Sequence, residues 1–134
     1  MLLCAQLFME DMKTKEINFQ MKEISEDELV IAVPFEGKLT QMFFSGPDGR
    51  YVAIYTVYES VPADKVTDLY VVCNQLNASY KWLKFFLDKD NDIVVQDDAI
   101  VSPESAAGEC FELLLRRAVI LKEVRPAIMR AIFM

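Results

Sequence analysis

The chain has 134 residues, of which 53% are hydrophobic, and a formal net charge of −7. The length fits one domain, residues 1–134, with a real core, and the apolar surplus implies an interface, most simply with a second copy of the chain. The acidic balance excludes nucleic acid, whose phosphates require clustered Lys and Arg, and disfavours an anionic membrane surface. In chain order, Leu2 to about Lys13 sets apolar groups around a narrow polar stripe of Gln6, Glu10 and Lys13 and predicts a short helix. Ile17 to Ile24 alternates as a half-buried edge strand does. After the acidic turn Ser25–Glu28, the unbroken run Leu29–Val33 predicts a strand that is central or covered on both faces.

Gln41–Ser45 leads into Gly46-Pro47-Asp48-Gly49, a turn with proline where φ is preset and glycine where φ is positive. The β-branched and aromatic run Tyr51–Tyr58 leaves it as a strand. Val61-Pro62-Ala63-Asp64 opens a middle helix whose core face is Val66, Leu69, Tyr70, Cys73 and Leu76, with Asn77 as a left-handed C-cap. A strand then sets Leu83, Phe85 and Leu87 against an aromatic face of Tyr80, Trp82 and Phe86. Asp88–Asp92 turns the chain into the strand Ile93–Asp97. Ser102-Pro103-Glu104 opens the last helix, which runs to about Arg125 before Pro126 kinks or ends it. Its polar stripe is Ser105, Glu109, Glu112, Arg116 and Glu123; the rest is apolar, wider than one sheet contact requires.

Motifs that carry chemistry are scarce. Asp88, Asp90 and Asp92 have the spacing of a calcium loop, but Ile93 stands where glycine is needed and Ala99 where a bidentate Glu is needed, so a solvated hairpin turn is expected and no metal. Asp97 and Asp98 are neighbours on a strand, point to opposite faces, and read as a solvated strand end rather than an acid–base pair. The three cysteines lack CxxC spacing and the chain has no histidine, which argues against a zinc site or disulfide framework; Cys73 and Cys110 read as small core residues. No glycine-rich phosphate loop occurs. The N-terminal segment lacks the features of a signal peptide, and no apolar run approaches a membrane span, so a cytoplasmic location is expected. No catalytic residue and no cofactor site is nominated. The candidate surface residues are Tyr80, Trp82 and Phe86 on the aromatic strand, with Phe111, Leu114 and Leu121 on the last helix. For the aromatic group, dimer or core packing and partner recognition both remain open.

The element order α-β-β-β-β-α-β-β-α makes this an α+β chain and resembles the YbjN-type domain of bacteria. The residues that carry the likeness are Tyr55-Thr56-Val57 before Val61-Pro62, then Asn74-Gln75-Leu76-Asn77, then Trp82-Leu83-Lys84-Phe85-Phe86-Leu87-Asp88, and Ile93-Val94-Val95. The likeness covers roughly Leu29 to Phe133. It implies a fold like the type III secretion chaperones, a curved antiparallel sheet with helices packed on it, commonly dimeric and acidic, and a sensory or regulatory role without a catalytic motif. Two functions are expected on this basis. The first is a non-enzymatic homodimer that binds a segment of a partner protein. The alternative is a sensor that encloses a small apolar ligand between sheet and helices.

Overall fold

The computed structural model describes residues 2–134. Helix α1 (Leu3–Thr14) is followed by strands β1 (Gln20–Ser25), β2 (Glu28–Phe35), β3 (Lys38–Ser45) and β4 (Tyr51–Ser60). Helix α2 (Val66–Ser79), strands β5 (Lys84–Leu87) and β6 (Asp92–Ile100), and helix α3 (Ala106–Phe133) complete the expected order. All six strands form one antiparallel sheet in the order β1-β2-β3-β4-β6-β5.

Register explains which side is core. Ile31 pairs with Met42, Met42 with Ile54 and Ile54 with Asp97, so these side chains share one face. All three helices pack there, in two apolar clusters. The first joins α1 (Phe8, Met12) to Ile31, Met42, Phe44 and Ile54 and to Cys110 of α3. The second joins α2 (Leu69, Cys73, Leu76) to Phe85, Ile93 and Val95 and to Ile120, Val124 and Ile128 of α3. α3 also meets both α1 and α2, which accounts for its wide apolar face. Among the described residues no helix covers the opposite sheet face; Leu39, Tyr51, Val57 and Ile100 are exposed on it, and Phe43 meets Tyr55 edge-to-face at 5.7 Å.

Two turns act as the residues require. Gly49 has φ +72°, and a Cβ there would lie 2.8 Å from that of Leu2, so the Pro47–Gly49 turn packs directly under the start of α1. Glu36 (φ 47°) and Gly37 (φ 76°) both take positive φ and close the two-residue β2–β3 hairpin.

Other expectations are corrected. β2 lies inside the sheet, as its unbroken run predicts, but is not covered on both faces: its burial alternates because only one face meets helices. β1 is exposed along its whole length; Ile17 and Phe19 pack against the core just before it, while Met21 and Ile24 run out past the helical layer. Tyr70 is 56% exposed, since it sits one position past Leu69 and rotates off the buried stripe. The middle helix starts after a 3-10 turn at Ala63–Lys65. α3 begins at Ala106; Ser102 instead holds the lead-in turn, its Oγ accepting from the Ser105 amide at 3.3 Å.

Pro126 does not end α3, which continues seven residues to Phe133. Proline inside a helix costs about 3 kcal/mol, but Ile128 and Ile132 beyond it are buried, and each such side chain returns about 1.5–3 kcal/mol. The carbonyl that loses its partner belongs to exposed Lys122, where water can serve it. Asn77 is not a C-cap. α2 runs on to Ser79, and the Asn77 amide clamps the start of β5, donating to the Phe85 carbonyl at 3.0 Å and accepting from the Phe85 amide at 2.6 Å.

The Asn77→Ala variant should therefore lose about 1–3 kcal/mol, two net hydrogen bonds, in urea unfolding, with faster hydrogen exchange at the Phe85 amide.

Candidate functional site

Between the β2–β3 hairpin and α3 lies a groove of about 680 Å³, within the range of small-molecule sites. Its walls are Val33, Pro34 and Phe35 on the hairpin side and Phe111, Leu114, Leu115 and Leu121 on α3, with Met12 and Ile17 at one end. Glu36, Lys38, Glu59, Lys122 and Arg125 also line it, and Thr40, Thr56 and Arg117 make a polar floor.

The floor is built around Arg117, which is only 2% exposed. Nη1 donates to Thr56 Oγ1 at 2.7 Å and to the Val95 carbonyl at 2.9 Å. Nη2 donates to the Ile54 carbonyl at 3.0 Å and to the Asp97 carboxylate. Thr56 shares a 2.8 Å hydrogen bond with Thr40 on β3, so one guanidinium ties α3 to β4 and β6 and, through two hydroxyls, to β3. Burial pushes the Asp97 pKa up and the Arg117 pKa down, each opposed by attraction to the other. Asp97 Oδ2 and Arg117 Nε remain without hydrogen-bond partners among the described residues.

This corrects the sequence reading of Asp97. It does point opposite to Asp98, which is exposed, but Asp97 itself is 6% exposed and ion-paired. Arg117, absent from the expected polar stripe, is the residue the sequence reading missed. Its signal is position: it stands three residues after Leu114 and four before Leu121, inside the apolar stripe.

The nominated surface residues divide. Phe111, Leu114 and Leu121 converge on the groove wall. Tyr80, Trp82 and Phe86 do not form one strand face. Tyr80 closes α2 and packs against the second cluster, Trp82 lies before β5 with φ 79° and is 62% exposed, and only Phe86 is in the sheet, paired with Val94 on the open face. The cause is α2, which extends past Asn77 and leaves a bend, not a strand, to carry the chain back to Leu83.

The cysteines and the acidic turn lie away from the groove lining. All three cysteines are buried. Burial raises the Cys73 pKa to about 11 and the Cys110 pKa to about 12, so both are thiols at neutral pH and poor nucleophiles. The carboxylates of Asp88, Asp90 and Asp92 come within 4.8 Å of one another, and Asp88 Oδ1 accepts the amides of Asp90 and Asp92 at 3.0 and 2.9 Å, the geometry of a hairpin turn. No helix among the described residues is long and apolar enough to cross a membrane.

Asp97→Ala leaves a buried guanidinium without its counter-ion and should cost about 3–5 kcal/mol in urea unfolding, whereas Asp97→Leu combined with Arg117→Met should recover most of that loss. Native protein should leave all three thiols unmodified by an aromatic disulfide reagent, and denatured protein should react at all three.

No curated protein sequence matches the chain. The model of a bacterial family, YbjN, described as "putative bacterial sensory transduction regulator", matches residues 12–121. The match starts earlier than the resemblance read from the residues and ends earlier, at Leu121 and not Phe133; it takes in the first strand, most of the groove wall and Arg117 with Asp97. This chain belongs to the YbjN family.

Proposed function

We propose that the chain is a non-catalytic regulatory module that senses an apolar small molecule held in the groove between the β2–β3 hairpin and α3. The observation that carries this reading is the groove itself: a volume suited to one small ligand, apolar walls from two elements, and a hydrogen-bonding floor. The family's description as a regulator supports it. So does the state of the cysteines, whose raised pKa values leave no activated thiol. Buried free thiols also suit a reducing, cytoplasmic setting.

A second reading is a chaperone-like homodimer that binds a partner's segment, and a separate observation favours it. β1 is an edge strand exposed along its length, beside a sheet face that leaves Tyr51, Val57 and Ile100 uncovered. Such an edge accepts an added strand.

The two readings use different surfaces and can be separated. Leu114→Trp fills the groove, and Val57→Lys alters only the open face. On the sensor reading, fluorescence of the apolar dye anilinonaphthalenesulfonate bound to native protein falls several-fold in Leu114→Trp and is unchanged in Val57→Lys. Loss only in Val57→Lys, with a dimer by light scattering that the variant converts to monomer, would replace the sensor with the homodimer.

A further inference from the structure

The groove floor holds unpaired donors, whereas the unpaired acceptor nearby, Asp97 Oδ2, belongs to a residue outside the lining. Thr40 and Thr56 have one hydroxyl hydrogen each. The hydrogen bond between them uses one of these two hydrogens, whichever residue donates it, and Thr56 Oγ1 already accepts from Arg117. One hydroxyl hydrogen therefore stays without a protein acceptor, on a residue that lines the groove and is at least 95% buried: Thr40 is 5% exposed and Thr56 1%. Arg117, also part of the lining, has its Nε–H unpartnered. A buried donor left unpaired is costly, so the favourable occupant brings an acceptor to the floor.

Charge points the same way. Although the chain is strongly acidic, Lys38, Lys122 and Arg125 face the groove against Glu36 and Glu59, and Arg117 is offset by Asp97. Lys38 and Arg125 moreover share one carboxylate oxygen, Glu59 Oε1, at 3.2 and 3.7 Å. The groove is thus locally cationic inside an anionic protein, with apolar walls above a donor floor. Resting on the groove-binding reading above, we infer that the ligand is an amphiphilic carboxylic acid: an apolar acyl or aryl body between Phe35, Phe111 and Leu114, and a carboxylate that accepts from the Thr40–Thr56 pair.

Octanoate, octanol and octylamine share one chain and differ only in the head. In calorimetric titrations of the full chain, octanoate binds about tenfold or more tightly than octylamine, the factor set by a charged hydrogen bond, and octanol falls between. Thr40→Val and Thr56→Val each keep the shape and remove one hydroxyl; the variant at the residue that carries the free hydrogen lowers octanoate affinity about tenfold and leaves octanol nearer the wild type, and Ser at that position restores it. Equal affinity for all three probes, or octanoate binding indifferent to both Thr40→Val and Thr56→Val, overturns the head-group assignment while the groove stands. Binding by none of them, or binding that Leu114→Trp does not reduce, removes the groove reading as well.

Discussion

A guanidinium taken out of water governs this structure. Arg117 can be buried because its four Nη hydrogens meet acceptors: the Ile54 and Val95 carbonyls, the Thr56 hydroxyl and the Asp97 carboxylate. Two adjacent strands must present these groups together, so the β4–β6 register and the rotation of α3 are fixed by the same contact. The ion pair need not add net stability, because desolvating both charges offsets much of their attraction; burial displaces both pKa values towards the neutral forms. Its contribution is to specify one arrangement. An apolar helix on an apolar sheet could slide by a turn with little loss, whereas this one would abandon a charge.

The groove follows from the same constraint. Holding α3 down at Arg117 brings Phe111 and Leu121 to either side of that point, while the positive-φ pair Glu36-Gly37 turns the β2–β3 hairpin back above them. The apolar clusters lie to the two sides, one under α1 and one under α2. Where the helical layer changes from one to the other, the sheet is covered by α3 alone, and the gap beside α3 becomes the binding space. The wide apolar face of this helix thus has three uses: contact with the sheet, contact with α1 and α2, and the groove wall.

Most of the scaffold was legible because its signals are local. Pro47-Asp48-Gly49 and Asp88–Asp92 carry their own turn chemistry, and the helices and strands show their periods, so the element order and the α+β class could be read directly. Features set by distant partners were hidden. Asn77 looks like a cap until Phe85 is seen beside it. Pro126 looks like a stop unless Ile128 and Ile132 have a core to enter. Tyr80 and Trp82 alternate on paper, but α2 runs to Ser79 and a bend, not a strand, follows it. The site shows the same division. Phe111, Leu114 and Leu121 were evident as an apolar stripe, while Asp97 and Arg117, twenty residues apart and each on its own a surface residue by type, declare themselves only as a pair.

At 28 residues α3 is a rod of about 42 Å, seated in one cluster at Cys110 and in the other at Ile128, with Arg117 between them. One continuous helix thus contributes side chains to both apolar clusters, and the contact that fixes its rotation lies between them.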